Sequence, residues 1–241
     1  MAARWVTAFW DFPSAGFEAG IDFWLQASGT TLSPRRGPDG EFATLVPPDG
    51  DAHLRVQRVQ SGPGGNHLDL HVDDVELDAA RAVALGANVL HREPGLIVLR
   101  SPGGLPLCLD TYKGESRIPA ARTWPGGAGS RVDTYCVDIP PDRYESETHF
   151  WSTLTDWALK PGYGPEFLHL DRPVDLPVRI IFQLLADPAP HDPVRSHLDL
   201  TATDIDAVSE QHRLLGANPK GRFERWQVME DPAGITYCIT D

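Results

Sequence analysis

Apolar and polar positions recur along the chain in one order: a strand-like run, a helical stripe, then three short strand-like runs. Trp5 to Phe12 is aromatic and β-branched, which predicts a strand; Pro13 and Ser14 break it and open a helix. Phe17, Ile21, Trp24 and Leu25 then fall on one helical face, and strands follow near Thr31 to Arg35, Phe42 to Val46 and Leu54 to Val59. After the turn Ser61 to Gly65, His67 to Val72 alternates as a half-buried strand does. Asp74 is placed to cap a helix carrying Val75, Ala79, Ala82 and Val83, and Gly86 stands where a left-handed C-terminal residue is wanted. Strands near Val89 to Arg92, Leu96 to Leu99 and Leu105 to Leu109 complete the second module.

The same order returns beyond a polar stretch rich in Pro and Gly. Val132 to Ile139 reads as a strand, and Asp142 with Glu145 reads as a capping box ahead of Phe150, Leu154 and Trp157. Strands are expected at Ala158 to Pro161, Phe167 to Leu170 and Val178 to Leu184. The fourth module opens at His197, has a helical stripe of Ile205, Val208, His212 and Leu215, and closes with strands near Arg222 to Glu224, Trp226 to Met229 and Ile235 to Ile239. The repeat is explicit in the letters: His67-Leu68-Asp69-Leu70 returns as His197-Leu198-Asp199-Leu200, 130 positions on (197 − 67). Asp204, Leu215, Gly216, Ala217, Asn218, Pro232, Gly234 and Cys238 keep that offset from Asp74, Leu85, Gly86, Ala87, Asn88, Pro102, Gly104 and Cys108. A duplication this well kept predicts two related halves, at 1–112 and 130–241, joined by a linker at 113–129.

Composition narrows the class of partner. A hydrophobic share of 41% beside 23% charged residues is that of a folded, water-soluble protein. The net charge of -13 and the scattered basic residues argue against nucleic acid and against an anionic membrane surface. The start of the chain lacks a signal-peptide pattern, and no apolar run reaches the roughly 20 residues that span a bilayer. Three cysteines, Cys108, Cys136 and Cys238, match no zinc pattern and read as reduced thiols, so a cytoplasmic protein is expected. The expected partner is a small-molecule ligand, and the expected assembly a monomer of two packed domains or a homodimer.

Four β-α-β-β-β modules, with His-Leu-Asp-Leu opening the second of each pair and a Pro-x-Gly turn before the last strand, resemble the vicinal oxygen chelate superfamily, closest to its glyoxalase-like branch, whose members include bleomycin-resistance-like proteins. The resemblance implies an α+β fold in which the modules pair into two half-open barrels, or bowls, each with a site in its concavity. Asp231-Pro232-Ala233-Gly234 matches the family turn, whereas Ser101-Pro102-Gly103-Gly104 departs at its first position. In metal-using members the ligands are His and Glu on the first and last strands of the modules. His67 and His197 match the first-strand position; Cys108 and Cys238 stand where the last-strand Glu belongs, with Gln57 and Gln183 near the matching place in the preceding modules. One imidazole, one thiol and one neutral amide make a poor divalent-metal site, so no cofactor is expected.

His67 and His197 are the candidate bases or hydrogen-bonding groups, weighed against a structural role in which each ring ties a loop to the sheet. Cys108 and Cys238 are candidate nucleophiles or small buried hydrophobes. Trp5, Phe9, Tyr135 and Trp226 lie on strands and are candidate walls for a flat or apolar ligand, while Trp24 and Trp157 belong to the core. The expected function is binding of a small organic molecule, with sequestration or resistance ahead of turnover. A lyase, isomerase or dioxygenase using His67 or His197, and a non-catalytic interaction module, are the alternatives.

Overall fold

A computed structural model of the chain describes residues 3–189 and 192–241. The first module is β1 (Trp5–Pro13), α1 (Phe17–Ser28), β2 (Thr31–Leu32), β3 (Phe42–Val46) and β4 (Leu54–Val59); the second is β5 (Gly65–Val72), α2 (Val75–Ala84), β6 (Asn88–Glu93), β7 (Leu96–Arg100) and β8 (Pro106–Thr111). A two-residue strand, β9 (Arg122–Thr123), precedes the third module: β10 (Gly129–Ile139), α3 (Pro141–Thr155), β11 (Ala158–Pro161), β12 (Phe167–Asp171) and β13 (Arg179–Leu184). The fourth is β14 (Arg195–Ala202), α4 (Ile205–Leu214), β15 (Asn218–Arg222), β16 (Trp226–Glu230) and β17 (Thr236–Thr240).

The strands form two sheets, ordered β2-β3-β4-β1-β5-β8-β7-β6 and β11-β12-β13-β10-β14-β17-β16-β15, with β9 added against β10. Within a module the opening and closing strands run parallel, as β1 with β4, β5 with β8 and β14 with β17. Parallel neighbours need a crossover, which the helix supplies, and antiparallel hairpins then bring the chain back. This is the expected α+β fold of paired βαβββ modules.

Most element bounds follow the hydrophobic periods; the exceptions have local causes. Asp74 and Asp204 cap α2 and α4 by accepting from Leu77 N at 3.0 Å and Ala207 N at 2.9 Å. Gly86 adopts φ 98° just past α2, where a side chain would be strained. Asp142 does not cap α3 but lies inside it: the N-cap is Pro140, two residues earlier, and Pro141 is in the first turn, because proline's fixed φ suits a helix start. Strand β15 ends at Arg222, so Phe223 and Glu224 fall in the turn that leads to β16.

By compactness the chain divides into one unit of residues 1–7, 67–116 and 135–196 and another of residues 8–66, 117–134 and 197–241. Each unit therefore combines a module from either half of the sequence.

In the second unit Trp24 of α1 stacks on Trp10 with ring centroids 4.1 Å apart and meets Tyr237 edge-on at 4.9 Å. Its indole N–H donates to Asp231 Oδ2 at 2.8 Å, while Asp231 Oδ1 accepts from the turn amides of Ala233 and Ile235, both at 2.9 Å. One buried carboxylate thus joins helix to turn. Residues 117–129 are built into this unit as well: Arg117 N donates to Asp51 Oδ2 at 2.8 Å, and Gly129 N donates to Thr203 Oγ1 at 2.8 Å.

The first unit reaches the same connection differently. Ser101 stands where Asp231 stands in the repeat, and the carboxylate comes from α3: Glu147 Oε1 accepts from the Trp151 indole at 2.9 Å and Glu147 Oε2 from Gly103 N at 2.6 Å. A Cβ on Gly103 would lie 2.6 Å from that oxygen, so the close approach requires glycine. In the second unit Gly20 holds the place corresponding to Glu147, four residues before the indole. Burial pushes the carboxyls of Asp231 and Glu147 above the usual range, and the hydrogen bonds they accept pull back against it. Ser101→Asp is expected to crowd two carboxylates together and to destabilise the protein by about 2 kcal/mol. In urea unfolding, Ser101→Asp combined with Glu147→Gln should be more stable than the sum of the single changes.

Two buried histidines make the fold sensitive to acid. Burial pushes His53 down to about 4 and His212 down to about 3. Both are neutral when folded, whereas an unfolded histidine titrates near 6.5. The unfolded chain binds more protons in the interval, so stability held above pH 6.5 is lost as the pH falls toward the folded values, at up to about 1.4 kcal/mol per pH unit for each histidine. The urea midpoint should fall between about pH 7 and pH 5, and His212→Gln should flatten that slope.

Candidate functional site

Strand alternation decides which side chains meet. On β5 Leu68, Leu70 and Val72 are fully buried on the apolar face, and His67, Asp69 and His71 project from the other. The parallel neighbour β8 sets Cys108 opposite Asp69 and Asp110 opposite His71. His67, Asp69 and Cys108 consequently bring an imidazole nitrogen, a carboxylate oxygen and a thiol within 4.8 Å of one another, and Asp69, His71 and Asp110 form a second such trio. All five residues are buried. His67 Nε2 lies 3.6 Å from Asp69 Oδ1. His71 Nε2 shares a hydrogen bond with Thr7 Oγ1 at 2.9 Å, its Nδ1 is 3.9 Å from Glu115 Oε1, and Lys113 Nζ meets Asp110 at 3.1 Å.

The second copy keeps the first three residue types and tightens two of them. On β14 His197 Nδ1 is 2.6 Å from Asp199 Oδ1, and Cys238 N on β17 donates to the same oxygen at 2.9 Å. A carboxylate oxygen that also accepts from Cys238 N is an acceptor toward the ring, so the imidazole donates through Nδ1, which fixes its tautomer. The His197 side chain retains 13% of its surface, against 7% for His67. Thr201 and Thr240 replace His71 and Asp110; Thr201 Oγ1 donates to Asp133 Oδ1 at 2.9 Å, and Thr240 Oγ1 to Leu200 O at 3.2 Å. The first copy is thus dense in titratable groups, and the second holds one oriented imidazole.

The remaining candidates are dispersed. Gln57 is half-buried on β4 in register with Asp11 and Phe42, and Gln183 is half-buried on β13 in register with Phe167. Trp5 is fully buried; Phe9 is buried with the Arg55 guanidinium 5.6 Å from its ring. Tyr135 lies 6.2 Å from Trp151 of α3, which puts its ring in the packing between helix and sheet. Trp226 stacks on the half-exposed Phe223 at 4.8 Å. The sequence reading did not single out His71 or Asp110, although each lies two residues beyond a candidate on the same strand, the spacing that shares a face.

Comparison with known proteins fits this geometry. The model of the "Glyoxalase-like domain" family matches twice, at residues 8–109 and 134–240. The chain belongs to that family. It is a tandem glyoxalase-like protein of the vicinal oxygen chelate superfamily. No match is found among the curated proteins.

Solved structures similar to this glyoxalase-like protein include a mutant of 4-hydroxymandelate synthase from Streptomyces coelicolor, with TM-score 0.64, 15% identity and coverage of 98% of this chain and 91% of that one. Another is a 2,2',3-trihydroxybiphenyl 1,2-dioxygenase from Sphingomonas wittichii, with TM-score 0.64, 14% identity and coverage of 97% and 88%. A 2,3-dioxygenase from a Pseudomonas species matches with TM-score 0.63, 14% identity and coverage of 97% and 90%. At these identities the likeness is one of fold.

The fold family implies a divalent metal in some members, and the first copy offers donors for one. His67, Asp69 and Cys108 supply nitrogen, carboxylate and sulfur within a single ion's reach, a set that suits zinc better than magnesium. In the second copy, Asp199 Oδ1 already accepts from His197 and Cys238.

The contact between His197 and Asp199 has a direct readout. Long-range nitrogen–proton NMR should show His197 with its proton on Nδ1. Asp199→Ala should lose that signature and, by leaving the Cys238 amide without its carboxylate, lower stability by about 1–3 kcal/mol. An unchanged tautomer in Asp199→Ala would show that the carboxylate does not orient the ring.

Proposed function

We propose that this tandem glyoxalase-like protein binds a small organic molecule through the imidazole of His197, without a metal, and that sequestration is its role. The observation that carries this reading is the 2.6 Å contact from His197 Nδ1 to Asp199, with the carboxylate held in turn by the Cys238 amide. A ring held in one tautomer on a rigid strand offers a ligand a defined hydrogen-bonding group, with little ordering left to do on binding. Binding without turnover is preferred because a base with its orienting carboxylate is by itself only part of a catalytic constellation. The compartment proposed is the cytoplasm: Cys108, Cys136 and Cys238 are buried and none is in a disulfide among the described residues.

A second reading is favoured by the first copy. His67, Asp69 and Cys108 would hold a divalent ion, which when bound supplies Lewis-acid polarisation of a ligand oxygen. Under that reading the chain is a superfamily enzyme of lyase, isomerase or dioxygenase type, in line with the activities named for the solved structures it resembles.

A thermal-shift screen of small organic molecules, run with and without Zn²⁺, Mn²⁺ and Fe²⁺, separates the two, because a ligand that binds the folded state raises its melting temperature. The metal-free reading expects hits that persist in chelator and weaken at least about tenfold in His197→Ala, with His67→Ala unaffected. Hits that require a metal and vanish in His67→Ala, together with one tightly held metal per chain, would replace it with the second reading.

A further inference from the structure

The second unit contains a cavity of about 310 Å³ that the His–Asp pairs do not line. Its walls come from the end of α1, the β3–β4 connection, residues 119–123, the start of β10 and Leu200 of β14. The volume lies at the lower end of the range for small-molecule sites, roughly 300–1,000 Å³. Leu45, Pro47, Leu54 and Leu200 give it apolar walls. Three nitrogen-bearing side chains, His53, Arg122 and Arg131, interrupt them.

Their partners differ in a way that defines a ligand. Arg131 is committed: one terminal nitrogen is 3.6 Å from Asp133 Oδ2 and the other donates to Pro119 O at 3.4 Å. Arg122 lies over the Trp124 ring at 4.0 Å and has no carboxylate or hydrogen-bond acceptor among the described residues; its Nε is buried. Asp49 also lines the cavity, where its Oδ1 accepts from Ala120 N at 3.3 Å. His53 is 4% exposed and donates through Nε2 to Val132 O at 3.0 Å, so Nδ1 carries the lone pair. That Nδ1 is buried and has no hydrogen-bond partner among the described residues. Beside the hydrocarbon walls thus stand a cation that no carboxylate pairs, Arg122, and a buried acceptor without a donor, His53 Nδ1, while the Asp49 carboxylate is engaged by the Ala120 amide. Leaving such groups unmet costs free energy that a matching ligand would recover.

We infer that this cavity is a second binding site, for a small hydroxy-substituted carboxylic acid with an apolar body. The carboxylate is received by Arg122, the hydroxyl donates to His53 Nδ1, and the hydrocarbon part lies against the leucines and Pro47. The depressed basicity of His53 keeps it neutral near pH 7, so it acts there as an acceptor.

Calorimetric titration of the full chain with phenyllactate tests the assignment, with phenylpropanoate, which lacks the hydroxyl, and phenyllactamide, which lacks the charge, as comparators. Saturable binding of phenyllactate is expected, weakened at least about tenfold by removing either feature from the ligand and to the same degree in Arg122→Gln. Ala121→Trp, at an exposed wall position, should block entry without disturbing the core, and serves if Arg122→Gln folds poorly. His197→Ala should leave binding intact, which keeps this site distinguishable from the proposed His197 site. The inference is overturned if wild-type protein does not bind phenyllactate, if binding survives both Arg122→Gln and Ala121→Trp, or if His197→Ala abolishes it.

Discussion

A buried carboxylate between a tryptophan indole and a tight turn is the contact on which both units depend. The indole N–H and the turn amides are buried and need acceptors: in the second unit one carboxylate serves them all, and in the first Glu147 serves the indole and Gly103 N while Ser101 Oγ accepts from Leu105 N at 3.0 Å. The second unit draws that acceptor from the turn, as Asp231, and the first draws it from the helix, as Glu147. The chemistry is conserved between the two while its position in the sequence is not. This accounts for Ser101, which looks like a degraded family turn and is one half of an exchange: the carboxylate moved to α3, and Gly103 gives its oxygen room.

The two copies have also diverged in the polar face they share. In the first, His67, Asp69, His71, Cys108 and Asp110 form a dense titratable cluster. In the second, threonines replace two of these, and one imidazole is held at 2.6 Å by its carboxylate. Packing many charges together favours binding a cation or sharing protons, whereas a single oriented ring favours recognition of a hydrogen-bonding ligand. The scaffold is the same; the side chains two residues along the strand decide what each copy can do.

The fold was legible because helices and strands announce themselves through periods of 3.6 and 2, and because the chain repeats His-Leu-Asp-Leu with its caps and turns at a constant offset. The start of α3 was misread because Asp142 and Glu145 imitate a capping box, while the fixed φ of Pro141 begins the helix without one. The site was only partly legible. The letters give His67 and Cys108, but they do not say that Asp69 joins them or that Asp199 closes on His197, since two-residue spacing fixes a face and not a distance. Tyr135 shows the converse: being aromatic on a strand does not tell which side of the sheet receives it, and it packs on Trp151. His53, Arg122 and Arg131 carried no signal at all, because the cavity they line is assembled from segments far apart in the chain.

Trp24 belongs to the first copy of the repeat, and the carboxylate it requires, Asp231, belongs to the second. A single copy carrying that indole would have to find the acceptor in another molecule. The contact therefore makes each copy a condition of the other: a change at Trp24 is felt in the turn of the second copy, and a change at Asp231 in the helix of the first.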